Sequence, residues 1–176
     1  EPETGETAIL TAPGNIRIGT QLKGQGGSIV SEGSIRVIGF GADFAANPNA
    51  ESGISMYAKQ NISFSSYRYD KTAKRGEFQD VKIKGVLYAW GNIRANLGHR
   101  KIRRWGRFDL EGAMVAYGGK PGTAERPGTP GSSRRGGDIA MTVSGNRLIF
   151  DPAYLLSLMS HGQENVPMRR ILWKRY

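Results

Sequence analysis

Val81-Lys-Ile-Lys-Gly-Val-Leu-Tyr-Ala-Trp-Gly-Asn-Ile-Arg-Ala95 carries the clearest structural pattern in the chain. Val81–Lys84 alternates apolar and charged residues and stops at Gly85. Val86–Ala89 is a second short apolar run, broken by Trp90 and Gly91. Asn92–Ala95 is a third. Period-two alternation over four residues marks a half-buried strand with one wet face. Glycine at each break marks a bend that a larger residue would resist. The stretch therefore predicts three short strands separated by tight corners, with Val81, Ile83, Leu87, Ala89 and Ile93 facing inward and Lys82, Lys84 and Arg94 facing outward.

The same phrases recur along the chain. Phe108-Asp-Leu-Glu-Gly112 repeats Val81-Lys-Ile-Lys-Gly85 after 27 residues, and Gly112-Ala-Met-Val-Ala-Tyr-Gly-Gly119 repeats the second run. Tyr57-Ala58 within Gly53–Phe64 matches Tyr88-Ala89 at a spacing of 31, and Gly33 within Gly27–Val37 matches Gln60 at a spacing of 27. Short strands with glycine corners at a near-constant period predict an all-β, single-domain parallel β-solenoid, each strand stacked on its equivalent in the next coil. A sandwich or barrel of hairpins is the alternative, but it does not require whole phrases to repeat. In a solenoid, Lys82 and Lys84 stack beside Asp109 and Glu111, predicting cross-strand ion pairs.

Insertions leave a solenoid as loops at its corners. Residues 41–52, 66–77, 97–106 and 118–137 read as such loops. The last holds three prolines and seven glycines, a composition that excludes regular structure. The coil resumes at Asp138–Val143 and Asn146–Phe150. Asp151-Pro-Ala-Tyr-Leu-Leu-Ser-Leu-Met159 then has an N-cap aspartate, a proline at the first helical position and an apolar run, predicting a short capping helix. The solenoid with its loops thus occupies 1–158. Residues 159–176 form a tail whose end, Asn165–Tyr176, alternates apolar and basic residues, as a final strand of its own solenoid or an arm pairing with a neighbouring subunit would.

The 176 residues carry 25 Lys+Arg against 15 Asp+Glu, a net charge of +10, and no cysteine. Disulfide frameworks and thiolate metal sites are excluded, and no apolar run is long enough to span a membrane. The charge is unevenly placed. Residues 1–80 hold 8 basic and 9 acidic residues, and residues 81–176 hold 17 and 6. Such polarity points to an anionic partner or an acidic neighbouring subunit, with a solvated surface as the plain alternative. Two clusters carry it. Arg100, Lys101, Arg103, Arg104, Trp105 and Arg107 crowd one predicted loop, where the cations would contact phosphates and Trp105 would stack on a base. Arg134 and Arg135 fall in the next long loop. In the tail, Arg169, Arg170, Ile171, Leu172, Trp173, Lys174, Arg175 and Tyr176 form a basic and aromatic set suited to subunit contact. In a head-to-tail stack, the acidic Glu32, Asp43 or Glu51 of one copy would meet the basic residues of another.

Catalytic signals are sparse. His99 and His161 lack ligand spacing with each other or with a carboxylate. No Gly-x-Ser-x-Gly elbow occurs, and Gly118–Thr123 lacks the Ser or Thr that a phosphate loop needs after its lysine. The sequence predicts a non-enzymatic protein without cofactor or metal. No apolar h-region lies in residues 1–30, so no signal peptide is expected there.

The phrases Gly85–Ile93, Gly112–Gly119 and Leu148-Ile-Phe-Asp-Pro-Ala-Tyr-Leu155 resemble the β-solenoid domains of bacterial pilus-assembly and minor-pilin-like proteins, including competence pilins. The resemblance spans roughly residues 80–158. It implies an extracellular or envelope-exposed solenoid that forms or decorates a filament, with partners among pilus components or other copies of itself, or DNA in an uptake or adhesion role. Such proteins begin with a long apolar helix that this chain lacks, implying a helix removed or a free-standing relative. A second, weaker resemblance is to the bactofilins, solenoids that polymerise end to end without nucleotide.

Overall fold

A computed structural model describes residues 9–19, 26–38, 43–44, 53–72, 74–118 and 137–154. They form a parallel β-solenoid. A seven-stranded sheet runs in the order β1 (Ile9–Ala12), β3 (Gly27–Ser31), β6 (Ile54–Ala58), β10 (Val81–Ala89), β12 (Arg107–Ala116) and β14 (Gly145–Phe150), with β5 (Asp43–Phe44) also paired to β10. A five-stranded sheet runs β2 (Ile16–Ile18), β4 (Ile35–Val37), β7 (Ile62–Phe64), β11 (Ile93–Asn96) and β13 (Ile139–Thr142). Every pairing in both sheets is parallel.

The register confirms the repeat. Tyr57 and Ala58 lie beside Tyr88 and Ala89, Ala89 beside Ala116, and Val81 beside Phe108. The large sheet consists of two faces meeting at a column formed by Gly27, Ile54, Gly85, Gly112 and Phe150. The first face stacks Asp43–Phe44, Val81–Lys84, Phe108–Glu111 and the strand β14. The second stacks β1, β3, β6, Val86–Ala89 and Ala113–Ala116, and the five-stranded sheet is the third face. Gly85 and Gly112 sit at φ +136° and +141°, where side chains are strained, and a Cβ on either would meet the carbonyl oxygen of the coil below at 2.0 or 1.9 Å.

Several inward columns keep similar residues from coil to coil, because each rung, about 4.8 Å from the next, offers similar space. Leu10, Ile29, Met56, Leu87 and Met114 form one column. Ala12, Ser31, Ala58, Ala89 and Ala116 form a small-residue column. Ile16, Ile35, Ile62, Ile93 and Ile139 stack on the third face. Phe64 and Phe108 meet edge to face across the interior, centroids 5.3 Å apart.

A polar ladder runs up the corner before the third face. Asn15 Oδ1 accepts from the Ser34 N–H at 2.8 Å, Ser34 Oγ from Asn61 N–H at 3.3 Å, Asn61 Oδ1 from Asn92 N–H at 2.9 Å, and Asn92 Oδ1 from Asp138 N–H at 2.9 Å. Each side chain thus serves the backbone of the coil above, where the bend leaves an amide outside the sheet. Replacing Asn61 by alanine is expected to cost about 1 kcal/mol. Thermal unfolding followed by circular dichroism should show a drop of about 2–4 °C, with Asn61→Asp, which keeps the acceptor, losing less.

Four expectations change. Residues 66–77 are not a plain loop: β8 (Tyr67–Asp70) and β9 (Arg75–Phe78) pair as an antiparallel hairpin. Part of the predicted 41–52 loop, Asp43–Phe44, pairs with β10. Lys84 meets Glu111 at 3.4 Å as expected, but the Asp109 carboxylate lies 3.8 Å from Arg107 of its own strand instead of pairing with Lys82. The helical turn at 152–154, with Asp151 Oδ1 capping Ala153 N–H at 2.9 Å, sets buried Tyr154 against Val86 and Ala113, which point outward from the second face. The turn therefore braces the wall of two coils. Residues 155–159 of the predicted helix, and the tail beyond, lie outside the described residues. Burial pushes the Tyr57 phenol up to about 12, partly offset by its hydrogen bond with Ser55.

Candidate functional site

Two surfaces of the solenoid present chemistry that its core does not consume. The first is its pair of ends. Among the described residues, β1 pairs with β3 alone and β2 with β4 alone at the lower end, and β14 pairs with β12 alone and β13 with β11 alone at the upper end. Apolar side chains of these end rungs are open: Ile9 is 67% and Leu10 54% exposed below, Ile139 45% and Leu148 51% above. Leu10, Ile139 and Leu148 occupy inward columns and are exposed where no further described strand covers them. Among the described residues, β14 carries the first face one rung beyond the second and third. This leaves a ledge above Ala113–Ala116 and β13. The corner ladder ends on Asp138, whose carboxylate holds the position of an acceptor for a further coil.

The second surface joins the 67–78 hairpin to the 97–106 loop. Stacking brings segments 27 residues apart alongside each other. Phe78 N–H donates to the Arg104 carbonyl at 3.0 Å, Glu77 and Arg104 form a parallel bridge, and their side chains pair at 3.6 Å. Between hairpin and loop lies a groove of about 420 Å³, lined by Ser65, Tyr67, Phe78, Asn96, His99 and Ile102. Tyr67 packs on Phe78 at 5.3 Å and lies across Gly76, where any Cβ would strike its ring. Tyr67 and Tyr69 occupy one face of the hairpin and remain 43% and 54% exposed.

The predicted basic loop divides into two groups. Arg104 is committed to Glu77, and Arg107 approaches Asp109. Arg100, Lys101 and Arg103 are exposed and make no ion pair among the described residues. Trp105 does not present its ring as a stacking platform. Its indole N–H donates to the His99 and Ile102 carbonyls at 3.2 and 3.0 Å, and its ring covers Gly98, so it pins the loop. Glu32 pairs with Lys59 of its own chain. Arg134, Arg135, Arg169, Arg170, Ile171, Leu172, Trp173, Lys174, Arg175, Tyr176 and Glu51 lie outside the described residues, as does the Asp43 side chain.

Sequence reasoning missed two basic features. Lys71, Lys74 and Arg75 are exposed at the tip of the hairpin whose base Glu77 joins to the loop. Arg17, Arg36 and Arg94 share one outward column of the third face, with Ser63 between the last two. The signal for the column was present, since each arginine sits between two apolar residues of a third-face strand. Recognising it required the first coil, which stacks only 19 residues below the second, Ala12 beside Ser31. No helix of the described residues is long and apolar enough to cross a membrane. No family model, curated protein or solved structure matches the chain.

Proposed function

We propose that this protein is a non-enzymatic structural subunit, a β-solenoid that joins end to end to form or extend a pilus-like filament at the bacterial cell surface. One observation carries the reading: the lower and upper ends are chemically continuous. A second copy seated on the ledge would set Leu10 above Met114, Ala12 above Ala116, Ile16 above Ile139 and Ile18 above Met141. The first three columns would continue with residues of their own kind, and the fourth, Ile18, Val37, Phe64, Ala95 and Met141, would stay apolar. The Asp138 carboxylate would take the Asn15 N–H of the next copy, as Asn92 takes that of Asp138. Open strand edges favour strand pairing, and a heterologous, head-to-tail contact propagates without closing unless rotation closes it. The apolar and hydrogen-bonded character of the joint predicts assembly that persists at high salt.

End-specific variants test this. Leu10→Arg blocks the lower end and Ile139→Arg the upper. Each variant alone is expected to sediment as a monomer, whereas an equimolar mixture should give a dimer and nothing larger, since each copy retains one good end. Wild-type protein should give filaments in electron micrographs. Monomeric wild type at high concentration, or variants that assemble as wild type does, would overturn the reading. Removing residues 165–176 separates the alternative route: loss of assembly on that deletion, with both end variants unaffected, would assign assembly to the tail.

A further inference from the structure

We infer that the hairpin and the 97–106 loop together form a platform for single-stranded nucleic acid, independent of end-to-end assembly. Three features converge. Six exposed cations, Lys71, Lys74 and Arg75 on the hairpin and Arg100, Lys101 and Arg103 on the loop, have no ion pair among the described residues. Arg104 and Glu77 join the two segments, so the elements that carry these charges are neighbours. The hairpin also carries two exposed tyrosine rings, Tyr67 and Tyr69, on one face of a strand, two residues and so roughly 6.8 Å apart.

The pairing of ring faces with cations decides the ligand class. A duplex offers its phosphates but keeps its base faces stacked, so it gains nothing from Tyr67 and Tyr69. A single strand offers both, and aromatic side chains on a sheet beside a positive groove are how such strands are held. Tyr67 is already positioned, since Phe78 and Gly76 fix its ring. The groove beside it is large enough for one base, and Ser65, Asn96 and His99 place donors and acceptors along it. The role the sequence suggested for Trp105 passes to these tyrosines. Arg94 stands two residues before Asn96 on the same outward side of β11, extending the positive track onto the third face.

Fluorescence anisotropy with a labelled 20-nucleotide oligothymidine tests the assignment, using the full chain and its Ile139→Arg variant so that filament formation does not mimic affinity. The oligonucleotide should bind more tightly than a duplex of equal length. Log affinity should fall with log salt at a slope between about −2 and −4, as three to six neutralised phosphates require. Tyr69→Ala should weaken binding about tenfold or more while Tyr69→Phe retains it. Tyr69 is the informative position because Tyr67 also supports the hairpin. The combined Arg100→Ser, Lys101→Ser and Arg103→Ser change should both weaken binding and flatten the salt slope. Equal or tighter duplex binding would overturn the inference. So would heparin binding as tightly as the oligonucleotide with Tyr69→Ala without effect, which would identify a site for acidic polysaccharide.

Discussion

Gly112→Ala is expected to lower stability by about 4 kcal/mol or more, a loss reserved for a few mechanisms. Two of them act here together. The residue sits at φ +141°, where a side chain is strained. Its Cβ would also lie 1.9 Å from the Gly85 carbonyl oxygen, a backbone atom of the adjacent coil that cannot rotate aside. Relief requires the two coils to part, which breaks the ladder between β10 and β12 on both sides of the glycine. The melting temperature should fall by about 10 °C for a chain of this size. Gly145→Ala is the control. It lies on β14, has no positive φ, and its Cβ would meet nothing within 4 Å. It should change stability by no more than about 0.5 kcal/mol. Urea unfolding of both variants checks the pair, and a Gly112→Ala protein that unfolds with the control would mean that the glycine column does not hold the two faces.

Phe108→Ala is expected to cost about 3–5 kcal/mol, as removal of a fully buried ring does when the surroundings cannot collapse. Collapse is resisted because the walls on every side are hydrogen-bonded rungs of fixed spacing. Phe108 contacts Phe64, which enters from the third face two coils earlier, so the pair bridges the interior between walls. Phe64→Ala should cost a similar amount, and the double variant less than the sum, with a coupling of about 0.5–1.5 kcal/mol for the edge-to-face contact. Chemical denaturation of the four proteins of the cycle gives that number directly. Strict additivity would show that the two rings stabilise the solenoid separately.

Much of the coil was legible because a strand exposes its period in its residues. Val81, Ile83, Leu87, Ala89 and Ile93 were assigned inward from alternation and glycine placement, and all five are buried. The 27- and 31-residue matches became strand registers because the phrases repeat with their corners. The lowest coil was not legible. Its strands, Ile9–Ala12 and Ile16–Ile18, are short, and its spacing to the next coil departs from the period of the others. The hairpin was hidden for another reason. Tyr67-Arg-Tyr-Asp70 and Arg75-Gly-Glu-Phe78 carry so much charge that composition reads as a loop, while the pairing depends on the cross-strand contact of Tyr67 with Phe78.

Side-chain period and corner glycines are enough to specify the solenoid: which residues point inward, where the backbone must bend, and that the basic excess lies in particular segments. These are properties of single strands and single corners, fixed by local alternation and backbone sterics. What those segments meet is set by the tertiary structure, through long-range stacking. It placed the hairpin against the basic loop, committed Arg104 to Glu77, turned Trp105 into the loop's own support and set Tyr154 on the outer wall. It also showed that the two ends repeat each other's columns. The physical reason is common to all of these. Stacking brings residues 19 or more positions apart to within one rung, and which partners result depends on the sum of all intervening coils and insertions, a quantity no local pattern encodes.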